Sequence, residues 1–403
     1  MKLLSWQSSA RRILEKNHVY LIVYSAFLLG FFISPSIHWH NNFFYAFVVF
    51  PYLLTLQKSK IKLLLHSKIW VLSMAFAIYL CLTLLWAENV GEDGPVYYLR
   101  RPIYLFVFLS LTIELVQRYP KFVDRLFISL CWVGAITGII SILSLYPSLS
   151  FERDRLSHMA GQLHNPIECG GVYGMLVLVA YFGVLKRKVL NHKWIYVGLL
   201  LVSIVSVVLT QSRGPLSALV IAVVAGAVLT LDKKALGAVV LIILGLVILV
   251  NSGNFGRRIF EKGWSHRFEL AEETLKRAQP SLIFGKGIST DTRFTLKDGK
   301  TRGDGHNAYL GTILYGGLVG LLVLLVLIII AFRESLRSFF HTKNITYFAL
   351  LLFAAIAIIT GEDKLTTHPD SLWMFFWLPL ALLAGEEIQR ANMLPICAVN
   401  TGH

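Results

Sequence analysis

From Val19 to Ile33 the chain carries no charged side chain, and apolar runs of similar length recur as far as Leu383. A helix needs about 20 mostly apolar residues to cross the hydrocarbon core of a bilayer. Runs near 18–34, 42–56, 69–87, 102–117, 125–146, 167–185, 194–210, 215–231, 235–250, 307–332, 344–360 and 371–388 predict an all-α polytopic membrane protein with about twelve transmembrane helices. Composition agrees. Of 403 residues, 56% are hydrophobic and 15% charged, whereas soluble domains carry about 25% charged residues. A soluble globular enzyme is excluded, and so is a disordered chain, since Val, Leu, Ile and Phe dominate.

The net charge of +15 would point to nucleic acid in a soluble protein. Here most basic residues flank apolar runs and act as topology signals, so no nucleic-acid partner is expected. One set of alternate loops holds Lys58, Lys60, Lys62, Lys68, Arg118, Lys121, Arg125, Lys186, Arg187, Lys188, Lys233, Lys234, Arg333, Arg337 and Arg390, together with the basic N-terminus. The short loops of the other set hold Arg100, Arg101, Arg153, Arg155, Arg213 and Lys364. Positive-inside ordering therefore places both termini in the cytoplasm. The apolar run after Lys16 lacks a small-x-small cleavage site before Ser34-Pro35, so it reads as an uncleaved first span.

Three regions follow. Residues 1–250 hold the first nine spans, 251–306 form one long loop on the outer, periplasmic side, and 307–403 hold the last three spans and a short cytoplasmic tail. Within the loop, Phe268–Ala278 has helical apolar spacing without a breaker, which predicts an amphipathic surface helix. Gln211-Ser212-Arg213-Gly214-Pro215 interrupts a long apolar stretch and predicts two helices joined by a tight turn.

Polar residues capable of chemistry gather on the outer side. His306 closes the loop after two glycines and can accept a proton near neutral pH. The alternative is a histidine that merely sits at the interface. Arg213 has almost no loop around it, and an arginine held against the bilayer either faces a cavity or partner or snorkels to headgroups. Arg267 begins the loop helix and Arg258 lies just upstream; guanidinium groups match pyrophosphate oxygens in pairs, although a basic loop can equally touch lipid phosphates. Arg101, Arg155, Asn165 and Asn307 lie at outer span boundaries, where they could contact substrate or anchor the helix ends. Glu168, in the first turn of the sixth span, could be a second base or a partner for an arginine, and it equally suits a helix N-terminus.

Other chemistries lack their signatures. No Walker loop, G-x-S-x-G elbow or H-E-x-x-H is present. Cys81, Cys131, Cys169 and Cys397 show no C-x-x-C spacing, His38 and His40 make a weak metal pair, and no Asp-x-Asp pair offers a divalent-metal site. No metal or cofactor is expected, and arginine is left to neutralise any phosphate charge.

Taken in order, Arg155, His164-Asn165-Pro166, Ser212-Arg213-Gly214, Arg267, Pro280-Ser281-Leu282-Ile283-Phe284-Gly285-Lys286-Gly287 and His306-Asn307-Ala308-Tyr309 resemble the O-antigen ligase and polymerase superfamily of bacterial inner-membrane proteins. The motifs span about Arg155 to Gly320, and the architecture spans the chain. The resemblance implies a metal-independent, inverting glycosyltransferase at the periplasmic leaflet. In the ligase branch the donor is a polysaccharide on undecaprenyl pyrophosphate, the acceptor is lipid A-core, and both reach the site through membrane lipid. Arg213 and Arg267 match positions that hold the donor pyrophosphate; His306 matches the position of the general base.

One dominant outer loop ending at His306 favours the ligase branch over the polymerase branch, which tends toward two such loops. A third branch, the protein O-oligosaccharyltransferases, usually adds a soluble C-terminal region, whereas about fifteen residues follow the last span here. A transporter or flippase of a lipid-linked anionic substrate would also use outer arginines, but it should show an internal repeat, which is not evident, and polar groups near the midplane, where Glu114 and Glu168 are the charges that fall deep within spans.

Overall fold

The computed structural model describes residues 18–87, 94–145, 155–157, 162–185, 193–231, 233, 237, 240, 265–291, 293–295, 301–302, 306–361 and 364–399. Helices dominate: α1 Val19–Ile33, α2 Ile37–Phe43, α3 Phe50–Leu54, α4 Lys58–Leu64, α5 Lys68–Leu82, α6 Gly94–Arg118, α7 Phe122–Leu145, α8 Pro166–Leu178, α9 Lys193–Leu209, α10 Arg213–Thr230, α11 Ser265–Ala278, α12 Ala308–Thr342, α13 Thr346–Ala357 and α14 Leu378–Val399. Wider π turns at Phe44–Val49, Val179–Leu185 and Trp373–Trp377 join α2 to α3, extend α8 and lead into α14. The exception to helix is a pair of two-residue antiparallel strands, β1 Phe294–Thr295 and β2 Thr301–Arg302.

Among the described residues five helical stretches are long and apolar enough to cross a membrane: Lys68–Trp86, Phe122–Ser144, Pro166–Gly183, Arg213–Thr230 and Ala308–Thr342. Shorter apolar helices stand at Val19–Ile33, Lys193–Leu209 and Thr346–Ala357. Leu322 and Ile329 of α12 are 62% and 63% exposed, an outward apolar face that only a lipid environment makes favourable. The apolar run at 235–250 lies almost wholly outside the described residues. The long outer loop is described only in part.

At the centre stands α8. Asn165 caps it by accepting from the Ile167 N–H (2.9 Å), Pro166 supplies a preset first turn, and every residue from Cys169 to Leu178 is buried. Its small residues admit close neighbours. Gly170 lies against Thr210 and Pro215, and Gly174 lies against the Phe353 ring. The turn predicted at 211–215 is present: α9 ends at Leu209, Gln211 takes a positive φ of 51°, and α10 starts at Arg213.

α12 departs from the expected unbroken span at 307–332. It runs to Thr342 and breaks at Gly317, whose φ of 63° and ψ of −163° belong to a region essentially reserved for glycine. Breaking a helix frees backbone groups that must find partners away from water. Residues 282–287 supply them. Lys286 N–H donates to the Leu314 carbonyl (2.8 Å) and Gly287 N–H to that of Tyr315 (3.0 Å), while Leu318 N–H donates to the Leu282 carbonyl (2.8 Å). The Tyr79 hydroxyl closes the set on the Gly316 carbonyl at 2.7 Å. A Cβ at position 317 would collide with the Ile283 carbonyl.

Gly317→Ala is therefore expected to cost at least about 1–3 kcal/mol, read as a lowered Tm of the detergent-solubilised protein. Gly198→Ala, in mid-helix with nothing within 4 Å of an added Cβ, is expected to stabilise by about 0.5–1 kcal/mol. Equal behaviour of the two would show that the break at Gly317 is not required.

Candidate functional site

Three chain segments meet where α8, α9 and α10 end or begin. Arg155 donates through Nε to the Thr210 carbonyl (2.9 Å) and through a terminal nitrogen to Ser212 Oγ (2.8 Å). Ser212 in turn donates to the Pro166 carbonyl at 2.9 Å, and Leu156 N–H donates to the Leu209 carbonyl at 2.9 Å. The Asn165-Pro166 and Ser212-Arg213 motifs, about 50 residues apart in sequence, are thus tied together by the Ser212 hydroxyl, which Arg155 holds in turn.

Arg267 joins them electrostatically. Burial and the nearby charges of Arg213 and Arg267 hold the Arg155 guanidinium below its ordinary pKa; burial and Arg213 do the same for Arg267. Three guanidinium groups from separate segments lie close enough to feel one another's charge. Such a cluster disfavours its own charged state until an anion enters it.

The helix that carries Arg267 is held by its other face. Leu270, Thr274 and Ala278, spaced by four, are buried, and the helix packs on α12. Phe268 and Leu275 remain 66% and 45% exposed, so the amphipathic character expected of this loop helix is present. Arg277 braces the following chain through the Arg293 carbonyl (3.2 Å).

His306 and Asn307 stand at the head of α12. Asn307 caps it by accepting from the Tyr309 and Leu310 N–H groups at 3.0 and 3.2 Å. His306, exposed, takes a positive φ of 44°, a conformation in which histidine is enriched although it remains uncommon for any side chain. The head of α12 is pinned to the end of α13, because Ala308 N–H donates to the Ile358 carbonyl (2.9 Å) and the Tyr309 hydroxyl to that of Ala355 (2.9 Å). Two residues past Ile358, the Thr360 side chain presses on Gly214 so closely that no Cβ fits. The segment 358–360 thereby touches both the His306-Asn307 corner and the Arg213-Gly214 corner.

Arg101 is placed differently. It is 6% exposed, lies over the Tyr97 and Tyr98 rings at 4.3 and 4.6 Å, and donates to the Thr366 carbonyl at 2.9 Å. Asp370 is charge-coupled to it, and burial lifts that carboxyl to about 6 despite opposing contributions from Thr367, the Leu372 N–H and Arg101. Lys364 of the same connection lies 4.8 Å from the Tyr315 ring centre. Arg258 lies outside the described residues. His40 proves to be a core residue, stacked on Phe27 and bonded to Ser34 Oγ at 2.9 Å.

Sequence reasoning missed Thr360 and Asp370, and it read Ser212 as part of a turn and motif and Lys364 as a topology signal; the connection that holds Thr360, Lys364 and Asp370 carries no motif.

Inorganic pyrophosphate at saturating concentration is expected to raise Tm by about 2–4 °C, and Arg267→Gln to remove at least half of that gain. No shift with the wild type would argue against an anion site. Asp370 has a folded pKa above its ordinary 3.8, so its contribution is fully present below that value and is lost as pH rises through about 6. Relative to Asp370→Asn, the wild type is expected to lose several degrees of Tm between pH 4 and 7; parallel curves would contradict the assignment.

Comparison with known proteins follows this geometry. Residues 198–325 match the family model described as O-Antigen ligase, a stretch that contains Arg213, Arg267, His306 and the break at Gly317. Over 374 residues the chain is 26% identical to the O-antigen ligase of Pseudomonas aeruginosa, covering 91% of this chain and 90% of that protein. The chain is thus similar to the O-Antigen ligase family model over residues 198–325 and to an O-antigen ligase along nearly its whole length.

Proposed function

We propose that the protein is an O-antigen ligase of the bacterial inner membrane, a glycosyltransferase that moves O-antigen polysaccharide from undecaprenyl pyrophosphate to lipid A-core at the periplasmic face. The observation that carries this reading is the hydrogen bonding of Arg155 to Thr210 and Ser212 beside Arg213, within reach of the charges of Arg213 and Arg267.

A sugar–pyrophosphate bond already has a good leaving group. Its transition state needs positive charge over the departing oxygens and a base for the incoming hydroxyl. Arg213 and Arg267, with Arg155 beside them, supply the first; His306, at the corner joined to theirs through residues 358–360, supplies the second. In the proposed step His306 takes the proton of an acceptor hydroxyl as its oxygen bonds to the anomeric carbon. The bond from that carbon to the pyrophosphate oxygen breaks, its electron pair leaves with the lipid pyrophosphate, and attack from the opposite face inverts the carbon. No metal ion is required, because the guanidinium groups neutralise the leaving charge.

The topology belongs to the same proposal. With about twelve spans and both termini cytoplasmic, the arginines and His306 open to the outer leaflet, where both lipid-anchored substrates diffuse in two dimensions. The exposed Phe268 and Leu275 of α11 face that lipid.

Deletion of the gene is expected to leave bare lipid A-core while long polymer accumulates on the undecaprenyl carrier, seen when both are run on gels. His306→Ala should fail to restore transfer, with a loss of about 10²–10⁴-fold, while donor binding persists. Core capped with a single repeat unit would instead identify a polymerase, and an unchanged pattern would overturn the assignment to lipopolysaccharide.

A further inference from the structure

The end of α1 remote from the arginines carries a second feature. Gln162 N–H bonds the Phe31 carbonyl at 2.9 Å, which places the C-terminal end of α1 near the arginine corner. The N-terminal end therefore lies at the opposite end of the bundle. There, between α1 and α7, is a groove of about 400 Å³.

Its walls are regular. Leu21, Ser25 and Leu29, spaced by four, line it from α1, and Phe122, Leu126 and Ser129 line it from α7. Its remaining lining includes Tyr119, Lys121 and Arg125 and no carboxylate. Lys121 and Arg125, both exposed, stand one turn apart at the start of α7. Arg118 lies over the Tyr119 ring at 5.8 Å, and the Tyr119 hydroxyl bonds His18 Nδ1 at 2.8 Å. The floor is thus apolar with two hydroxyls, while the rim is cationic and includes the N-terminus of a 24-residue helix.

We infer that this groove binds one anionic phospholipid, its acyl chain along the α1–α7 seam and its phosphate on Lys121 and Arg125. Chain and headgroup are both required by what lines the groove. An apolar groove between membrane helices takes an acyl chain whatever the headgroup; the paired cations without a lining acid select net negative charge, because a choline headgroup would bring a cation to the same rim. On the topology proposed above the rim opens to the cytoplasmic leaflet. The site is remote from the arginine corner, so its occupancy is readable independently of glycan transfer.

The test is native mass spectrometry of the full chain in detergent, titrated with phosphatidylglycerol and phosphatidylcholine of equal chain length. The wild type is expected to prefer phosphatidylglycerol by about thirtyfold, two surface charges' worth. In Lys121→Gln/Arg125→Gln the preference should fall below about threefold, whereas Lys121→Arg/Arg125→Lys should keep it. Equal occupancy by the two lipids in the wild type would overturn the proposal. So would a preference that survives the double neutralisation, or one lost equally in the charge-preserving exchange.

Discussion

The break in α12 at Gly317 is the constraint on which the outer end of the bundle depends. A continuous helix would satisfy its own backbone and leave residues 282–287 without partners. The broken one offers the Leu314 and Tyr315 carbonyls and the Leu318 N–H, and 282–287 completes them. Ile288 N–H then reaches Thr83 Oγ1 at 2.9 Å, and Trp86 Nε1 donates to the Gly285 carbonyl at 3.1 Å, so α5 is tied in as well. Because α11 lies immediately before this segment and packs on α12, the same ladder fixes the helix that presents Arg267. Irregular backbone at membrane depth is tolerated where protein groups satisfy it, and here those groups also position a charge.

That charge is placed against its own interest. The charges of Arg213 and Arg267 act against that of half-buried Arg155, and Arg213 acts against Arg267. Hydrogen bonds of Arg155 to Thr210 and Ser212 hold the arrangement before any ligand arrives. A preorganised cationic pocket of this kind needs little rearrangement when an anion, or negative charge developing on a leaving group, enters it. On the proposed function the repulsion is relieved at that moment, which would favour a leaving group of two charges over one of a single charge.

Much of this was legible in the sequence, and the reasons differ by feature. Apolar runs mark helices because lipid leaves the backbone no other choice, so helices stand over most of the expected segments. The division at Gln211–Pro215 was readable because Gly and Pro punctuate locally. Asn165 and Asn307 were singled out as substrate contacts, yet both amide oxygens cap helices, a role equally encoded by an Asn before a helix start. The break at Gly317 escaped because a Gly-Gly pair within an apolar run fits an unbroken helix as well as a broken one; only the irregular segment 282–287 packed against it decides. Convergence of Arg155 with Arg213 depends on pairing across the chain, which spacing in one sequence does not encode.

The two ends of the bundle treat charge in opposite ways. Away from the arginines, charges are matched. Lys60 meets Glu114 at 2.8 Å and Glu334 meets Arg337 and Arg390 at 2.7 and 3.2 Å, while Glu387 is satisfied by a neutral donor, the Ser67 hydroxyl at 2.6 Å. These carboxylates are partly or wholly buried, and each would be costly alone. Pairing there serves helix packing. At the other end Arg155, Arg213 and Arg267 stand within reach of one another's charge, an arrangement that the proposed binding of a pyrophosphate would favour.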